Sequence, residues 1–530
     1  MDFTKLIPPE LVDLTNCDRE AIHTPGLIQP HGVLLTLQEP DLIILQASQN
    51  TAELFDIPAE SLINHSLAQF LNQAQLNQLR ECLATENIEI YNPLNLSLKT
   101  VDSTKEFECI IHRYDGVLIL EMELCLVKEQ FSTLSFYHLA KSAIMNIKKA
   151  NNFQEMTELL AQEVRKITGY DRVMIYQFEP DESGIVIAED KRQGLEPFLG
   201  LHYPASDIPK QARKLYYQNL LRLIADINYQ PVPIIPQNNP LTNAPLDLSL
   251  SVLRSVSPIH IEYLQNMGVV ASLCTSLITD KKLWGLIVCH HYSPQYVTYE
   301  IRKVCELLGQ VMSLEIINKQ QQEFEKYTEK IKSIQEELKN ILLAKNVNHK
   351  IFNDDKNSLL ELVNAEGVII SFGEKITLVG KTPEIKDIQA LINWLHNYSQ
   401  QEVFHTNYLS QIYPAAKQIK ELASGLLAIS IFVNDISYQI IWLRPEVIQT
   451  VNWGGDPKES AIIKNDEVIY LSPRRSFELW KETVREKSLP WKQVEIDAAA
   501  ELRNALMFAV LKFYQSALQQ AALEAQAANH

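Results

Sequence analysis

Short apolar runs bounded by turn residues recur in pairs along the chain, as they do in antiparallel hairpins. Two such pairs lie near the N terminus: residues 32–37 with 42–45, and residues 109–114 with 117–126. Asp115-Gly116 joins the second pair and is a dipeptide that type I′ turns favour. Residues 51–55 and 73–84, between the two hairpins, have the apolar spacing of helices. The first segment is therefore predicted to be a small α+β domain.

A second α+β domain is predicted to follow. Two helices and a strand open it: residues 131–149, 153–168 and 172–178. A hairpin closes it: residues 271–277 and 283–291, around a turn at Asp280-Lys281. The chain would then continue into one long helix from Glu300 to about Leu343, which at 1.5 Å per residue spans on the order of 65 Å. That length predicts a connecting strut, either paired in a dimer or solvated as a linker.

A third domain repeats the outline of the second, with a hairpin at residues 426–443. An excursion from about Gln449 to Lys492 then precedes a final helix at about residues 497–524. Insertions of this length in a compact domain are usually functional. The predicted fold class is thus α+β, with three tandem domains that each combine an antiparallel sheet with flanking helices.

Asp207 lies between two prolines, just ahead of a helical run predicted at residues 210–227. Pro209 suits the first turn of a helix, because its missing N–H would have no partner there. It also keeps Ile208 out of the α region, so Asp207 is predicted to lie on a stiff, extended entry to the helix. The simplest interpretation is an N-cap, in which Asp207 or Ser206 accepts backbone N–H groups.

Composition narrows the function classes. The 530 residues are 46% hydrophobic and 21% charged, which is ordinary for a globular protein. The net charge of -17 argues against a nucleic-acid partner, because phosphate binding needs clustered Lys and Arg. Seven cysteines without a Cys-x-x-Cys pair favour a reducing, cytoplasmic setting over a zinc site or disulfide framework. No signal peptide is expected, and no apolar run approaches the ~18 residues of a membrane span.

Candidate ligand-binding residues concentrate in the second domain. On a helix predicted at residues 258–267, His260, Tyr263 and Met267 recur at i, i+3 and i+7 and share one face. Alternation on the last strand of the hairpin places four residues on one face: Trp284, Leu286, Val288 and His290. Each histidine alone is more often a structural residue than a ligand.

Five further residues of this domain complete the candidate set: Tyr176, Asp207, Tyr216, Arg222 and Arg254. The set lacks the several ligands of a metal site, and the chain has no glycine-rich phosphate loop and no serine nucleophile elbow. Aromatic walls with a few polar groups indicate a pocket for a large conjugated ligand. The arginines favour acidic groups on that ligand, because their planar fork binds carboxylates.

Six motifs resemble those of phytochromes: PASDIP, LRSVSPIH, YLQNMGV, LWGLIVCHH, WGGDP and PRRSF. They occur in the family's order over nearly the whole chain. The resemblance implies these regions: an N-terminal segment at 1–25, a PAS domain at 26–128, a GAF domain at 129–317, a connecting helix at 300–345, a PHY domain at 346–510 and an output helix at 497–530. It also implies a red/far-red photoreceptor that binds a linear tetrapyrrole (bilin) in the GAF domain and switches by D-ring double-bond isomerisation.

The resemblance is to the bacteriophytochrome type, which implies biliverdin IXα linked as a thioether to Cys17. Plant-type and many cyanobacterial relatives instead attach the bilin to a cysteine directly before the helix histidine, His260. In this chain that position is Ile259. Outside this pattern, Cys17 would be an incidental exposed thiol.

The resemblance assigns roles to single residues. Asp207, through its backbone carbonyl, and His260, through a shared water, would face the pyrrole nitrogens, and His290 would contact the D-ring carbonyl. Three tyrosines would surround the D ring: Tyr176, Tyr203 and Tyr263. Five residues would anchor the propionates: Tyr216, Arg222, Arg254, Ser257 and Ser272. The remaining chromophore contacts would be Ile208, Pro209 and Cys274, the last standing where relatives commonly have Ser or Thr.

The excursion, at about residues 446–493, resembles the family's tongue. Its Arg474 would pair with Asp207 in the dark state, and Ser476 would replace it after photoconversion. The family also threads its N-terminal segment through a GAF loop as a knot.

The resemblance further implies a homodimer and a response regulator reached through a C-terminal histidine kinase. The chain ends before ATP-binding glycine motifs, so an input module that is not an enzyme is expected, without membrane or nucleic acid. A PAS/GAF array that senses a cyclic nucleotide or another small ligand remains the alternative, and an enzyme is the other class kept open. An absorption spectrum distinguishes these readings.

Overall fold

A computed structural model describes residues 20–99, 104–125, 133–180, 182–203, 205–345, 347–399, 401–433, 436–446, 449–453, 463–465, 468–470, 480–484 and 486–528. The chain divides into two compact units, Met1–Lys319 with Asn452–Trp480, and Gln320–Val451 with Lys481–His530. Cys17, Arg474 and Ser476 lie outside the described residues, so the predictions made for them stay predictions. No helix within the described ranges is long and apolar enough to cross a bilayer.

The first domain contains both predicted hairpins. Its elements are β1 (Leu27–Ile28), β2 (Gly32–Gln38), β3 (Ile43–Ser48), α1 (Thr51–Leu54), α2 (Ala59–Leu62), α3 (Gln73–Leu83), β4 (Leu94–Lys99), β5 (Thr104–Tyr114) and β6 (Val117–Leu124). Asp115 and Gly116 have φ angles of 52° and 76°, as the central residues of a type I′ turn must. An Asn72–Gln75 capping box begins α3.

The second domain has the predicted strand and closing hairpin. Its elements are α4 (Thr133–Ile147), α5 (Phe153–Thr168), β7 (Arg172–Phe178), β8 (Gly184–Lys191), β9 (Leu201–Tyr203), α6 (Lys210–Gln218), β10 (Leu221–Ile224), β11 (Val232–Ile235), β12 (Asn238–Asn239), β13 (Ala244–Pro245), α7 (Pro258–Asn266), β14 (Ala271–Thr279) and β15 (Lys282–His291). Its sheet has the order β10-β14-β15-β7-β8-β9. One face packs on α4 and α5, and the other face lines the cavity described below.

The helical run predicted at residues 210–227 is wrong in its second half. Helix α6 ends at Gln218, and β10 pairs with β14, Leu221 opposite Thr275 and Ile224 opposite Ser272. Pairing with a distant strand overrides the local helical spacing, which carries no information about that partner. The N-cap position of α6 is Pro209, so neither Asp207 nor Ser206 occupies the N-cap position predicted for it.

The predicted position of Trp284 on the face of His290 is wrong as well. The β14–β15 register shifts, so that Leu277 faces Gly285 while Ile278 faces Leu283, and Trp284 is the extra residue of a bulge. The bulge reverses the alternation, and Trp284 packs edge-on against Phe153 of α5. Leu286, Val288 and His290 share the cavity face as predicted.

A strand of the second domain completes the sheet of the first. The order is β1-β11-β3-β2-β6-β5-β4, with Leu27 opposite Pro233 and Ile234 opposite Ser48. Segment 232–235 therefore lies between two strands of the N-terminal domain. The predicted knot depends on residues 1–19, which lie outside the described part, and stays a prediction.

The predicted long helix is confirmed as α8 (Tyr299–Ala344), 46 residues in length. Thereafter come α9 (Lys356–Glu361), β16 (Gly367–Phe372), β17 (Lys375–Gly380), α10 (Ile385–Tyr398), β18 (Val403–Thr406), α11 (Leu409–Ile412), β19 (Gly425–Val433), β20 (Ile436–Arg444), β21 (Gln449–Trp453), β22 (Ile463–Asn465), β23 (Val468–Tyr470), β24 (Trp480–Val484) and α12 (Gln493–Ala528). The sheet of the second unit has the order β17-β16-β20-β19-β18, and its centre is the hairpin predicted at 426–443.

Candidate functional site

A cavity of about 410 Å³ lies in the first unit, lined by the sheet and by helices α6 and α7. Its volume is within the range of small-molecule sites. All of the predicted chromophore contacts line it: Tyr176, Tyr203, Asp207, Ile208, Pro209, Tyr216, Arg222, Arg254, Ser257, His260, Tyr263, Ser272, Cys274 and His290. Residues spread over more than a hundred positions of the sequence thus line one cavity, although their roles stay predictions.

Asp207 is in a 3-10 turn, Ala205–Asp207, that leads into α6. Its Oδ2 accepts a hydrogen bond of 3.0 Å from the Tyr263 hydroxyl on α7. The ring of His260, one turn earlier on α7, lies nearly parallel to that of Tyr263, with centroids 6.0 Å apart. Burial, and then the charge of Arg222, lower the pKa of His260 to about 4, so its ring is neutral near pH 7.

His290 lies on β15 opposite Arg172 of β7. Its Nδ1 is buried without a hydrogen-bond partner among the described residues. Burial first, and then the charges of Arg172 and His260, lower its pKa to about 3. A buried polar atom without a partner is costly, so this nitrogen is suited to a polar group of a bound molecule.

Arg222 and Arg254 place two guanidinium groups on the cavity wall. Arg222 donates to the carbonyl oxygens of Val252 at 3.3 Å and Arg254 at 2.5 Å, and Arg254 donates to that of Ile22 at 2.8 Å. In the described part of the chain, the acceptors of both guanidinium groups are carbonyl oxygens and none is a carboxylate. Burial, and then the charge of Arg222, lower the pKa of Arg254 to about 9, and burial lowers that of Arg222. Two adjacent cations without a carboxylate partner form a site for acidic groups.

The neighbouring polar wall comes from β14 and α6. The Ser272 hydroxyl lies 3.8 Å from the Cys274 thiol, within the distance of a sulfur hydrogen bond. Burial raises the pKa of the Cys274 thiol and of the Tyr216 phenol. Both groups are therefore neutral near pH 7, and they add polarity to the wall without adding charge.

The aromatic end of the cavity is shaped by a glycine. The rings of Tyr176 and Tyr203 lie 6.0 Å apart, and Tyr176 also contacts Phe178 edge-on at 5.2 Å. A Cβ at Gly184 would overlap the Tyr176 ring. Gly184 in β8 therefore leaves the space that Tyr176 occupies.

Sequence reasoning missed several lining residues. Glu20 and Ile22, from the N-terminal segment, reach the cavity, and Glu20 accepts a 3.1 Å hydrogen bond from Ser257. Arg213 and Glu182 form a 2.7 Å ion pair at another part of the wall. No motif marked these residues. For Glu20 the one available signal was its place three residues after Cys17.

Backbone pairing connects the excursion to this domain. Within the first unit, Asn452 and Trp453 pair in parallel with Leu201 and His202 of β9. The excursion thus pairs with the strand that ends at Tyr203. Among the described residues, no cluster of three or more histidine, cysteine or acidic side chains could hold a metal ion. The donor set suits a conjugated organic ligand with acidic groups.

Comparisons with known proteins agree with this geometry. Family models match three regions: PAS fold at residues 17–125, GAF domain at 152–316 and Phytochrome region at 331–514. The predicted order of PAS, GAF and PHY domains is confirmed, whereas their exact limits stay predictions. The chain is 49% identical over 513 residues to Cyanobacterial phytochrome B from Nostoc sp., covering 97% of this chain and 68% of that protein. It spans about two thirds of the length of its cyanobacterial relatives from Nostoc and Synechocystis.

Two solved structures have the same architecture. The photosensory core module of the Stigmatella aurantiaca phytochrome is 42% identical with a TM-score of 0.72, covering 95% of this chain and 99% of that one. A bacteriophytochrome from the photosynthetic bacterium R. palustris is 39% identical with a TM-score of 0.77, covering 94% of this chain and 99% of that one. The prediction of tandem sensor domains joined by a long helix is confirmed.

Proposed function

Because the chain belongs to the phytochrome family, we propose that it is a red/far-red photoreceptor that binds the linear tetrapyrrole biliverdin in its GAF cavity. The observation that supports this proposal is the cavity, where two guanidinium groups adjoin an aromatic wall and neither has a carboxylate partner among the described residues. A tetrapyrrole combines an apolar conjugated body with two propionates, which matches both features.

In this proposal the bound pigment supplies light absorption and isomerisation at its D ring. Arg222 and Arg254 bind the propionates, and the neutral hydroxyls of Tyr216, Ser257 and Ser272 complete that end. His260 and the backbone carbonyl of Asp207 orient the pyrrole nitrogens, with a water between them. At the other end, three tyrosines enclose the D ring and the unpartnered Nδ1 side of His290 faces its carbonyl.

We further propose that Cys17 carries the thioether. Glu20 and Ile22 line the cavity, and the three residue steps from Cys17 to Glu20 span at most about 10 Å when extended. The tongue would report the pigment's state through Arg474 and Ser476, passing the signal along α8 and α12. A homodimer, a histidine kinase beyond this chain and a response regulator complete the proposed pathway.

The first experiment is an absorption spectrum of the chain assembled with biliverdin. A red band that bleaches under red light and returns under far-red light is expected. Absence of a visible band, or a band that light leaves unchanged, would contradict the proposal. The small-ligand alternative predicts tight binding of a colourless metabolite, such as a cyclic nucleotide, and no photochemistry.

Replacing Cys17 with alanine tests the attachment. The Cys17→Ala chain should bind the pigment in the native state but release it in acidic urea, because only non-covalent contacts remain. Cys274→Ala is the matched control, since Cys274 lines the cavity and should leave the pigment attached. Pigment that stays on the denatured Cys17→Ala chain would exclude this assignment.

A further inference from the structure

Glu121, a residue of the PAS domain, contacts a loop of the GAF domain. It lies on β6 with an exposed fraction of 0%. Its Oε2 accepts a hydrogen bond of 2.7 Å from the N–H of Leu253, and its Oε1 accepts one of 3.1 Å from the N–H of Val252. One carboxylate thus fixes two successive peptide groups.

The same loop, residues 252–254, also binds the guanidinium group of Arg222, on the side opposite Glu121. Arg222 donates to the carbonyls of Val252 and Arg254. The Val252 carbonyl and the Leu253 N–H belong to one peptide group, and a trans peptide points them in opposite directions. Glu121 and Arg222 therefore bind opposite ends of a single peptide plane. Hydrogen bonds in such a chain polarise one another, so a carboxylate at the N–H strengthens the carbonyl as an acceptor.

We infer that Glu121 is a positioning residue for the Arg222–Arg254 pair, and that it thereby sets the affinity of the cavity for the acidic groups of its ligand. This rests on the proposed function. Glu121 contacts neither guanidinium, and it acts through the backbone of residues 252–254. Its charge also favours the cationic forms of both, because it raises the pKa values of Arg222 and Arg254 against the effect of burial.

One neutral histidine and two charged groups surround Glu121, since burial lowers the pKa of His112 to about 4. The Nδ1 of His112 on β5 lies 3.9 Å from Glu121 Oε1, and the charges of Glu123 on β6 and Arg302 on α8 also act on the carboxyl. Burial raises the pKa of Glu121 to about 7, while the two backbone N–H groups lower it. The contacts with the loop, together with the weaker effect of the Arg302 charge, favour the anion at this position.

Glu123 offers a matched control on the same strand. Its side chain is 1% exposed, forms a salt bridge with Arg302 and lies 3.3 Å from the Nε2 of His31. Replacing it removes a buried carboxylate from the same face of β6 without removing a contact to residues 252–254. Glu123→Gln therefore measures how the loss of a buried charge from this domain, by itself, changes ligand binding.

The test compares biliverdin with its dimethyl ester, in which both propionates are masked. Binding to the Cys17→Ala chain, where it is reversible, is measured in three backgrounds: no second change, Glu121→Gln and Glu123→Gln. Glu121→Gln should weaken biliverdin binding by about tenfold and leave ester binding unchanged, because its amide retains one acceptor and loses the charge. Glu123→Gln should leave the ratio of the two affinities unchanged. If Glu121→Gln does not fold, Glu121→Asp should give the same selective loss.

If Glu121→Gln weakens the binding of both ligands equally, the residue is merely structural and the inference is overturned. If it weakens the binding of neither ligand, the inference is also overturned. If the Cys17→Ala chain with no second substitution binds neither ligand, the proposed function is contradicted instead. Hydrogen exchange without pigment separates the two failures. The Val252 and Leu253 amides should exchange faster in Glu121→Gln but not in Glu123→Gln, and unchanged exchange would overturn the inference whether or not pigment binds.

Discussion

Buried arginines in the two units show how one side chain can serve either a folded core or a ligand. Arg444, in the second unit, donates to Glu495 at 2.9 Å and to four backbone carbonyls, and it lies 3.9 Å from the centre of the Trp491 ring. Arg254, in the first unit, donates to a single carbonyl, and its Nε has no partner among the described residues. The closed network stabilises the fold, whereas the open one leaves a guanidinium group that suits the anion in the proposed function.

The two central hairpins differ in the same way. In β19–β20, residues of both faces are buried in apolar clusters, for example Leu427 on one face and Ala428 on the other. In β14–β15, Leu273 packs in the core, while Ser272 and Cys274 face the cavity. A related strand order thus supports a filled core in one unit and a cavity in the other. The difference lies in the side chains of a single sheet face.

The largest expected effect is the loss of Arg444. Arg444→Met should cost about 3–5 kcal/mol of stability in the second unit, because it leaves the buried Glu495 carboxylate without its cationic partner. Arg254→Met should change the stability of the first unit by less than about 1 kcal/mol, since no carboxylate is left unpaired. Hydrogen-exchange protection of β20 and of β14, respectively, measures the two effects in the pigment-free chain. Equal losses would remove the distinction between a structural and a ligand-binding arginine.

A smaller effect is expected from the cavity histidines when the pH falls. The pKa values of His260 and His290 in the folded chain, about 4 and 3, lie below the unfolded value near 6.5. The unfolded chain therefore binds more protons below pH 6.5. Stability is complete above that pH and falls by at most about 1.4 kcal/mol per pH unit for each histidine down to its folded pKa.

The test replaces His260 with glutamine in the pigment-free chain. Urea unfolding of the first unit at pH 7.5 and pH 5 should show a smaller difference in His260→Gln than in the unchanged chain. Glutamine does not titrate, so one protonation step is removed. A pH dependence that is the same in both chains would place the His260 ring in solvent rather than in a buried wall.

The smallest effect on stability is expected for a substitution in the tongue, which should change the absorption spectrum instead. Asp207 accepts a hydrogen bond from the Tyr263 hydroxyl in the cavity wall. Arg474 of the excursion is its proposed second partner. Arg474→Ala should keep the dark-state pigment bound but reduce the yield of the far-red-absorbing form or speed its dark reversion. Difference spectra beside Arg475→Ala measure this. Damage in Arg475→Ala alone would identify the other arginine, and normal behaviour of both would refute the coupling.

The sequence predicted the cavity wall well because the relevant residues sit in local motifs. His260 and Tyr263 share a helical face, and Val288 and His290 share a strand face, so short-range periodicity was sufficient to group them. Grouping the helix with the strand required the family resemblance, which supplied the partners that spacing does not specify. Arg222 shows the limit, since it was identified as a binding residue while its strand was predicted as helix.

By itself, the sequence determined the features that depend on neighbouring residues. The Asp115-Gly116 turn, helix α5 and the length of α8 follow from local turn propensity and apolar period. Only the tertiary structure decided the features that depend on distant partners. These include the bulge at Trp284, the insertion of β11 into the N-terminal sheet, and the contact of Glu121 with a loop 132 residues away. The physical reason is that strand pairing and buried hydrogen bonds are chosen by whichever partner the completed fold brings near, and that partner leaves no periodic trace in the local sequence.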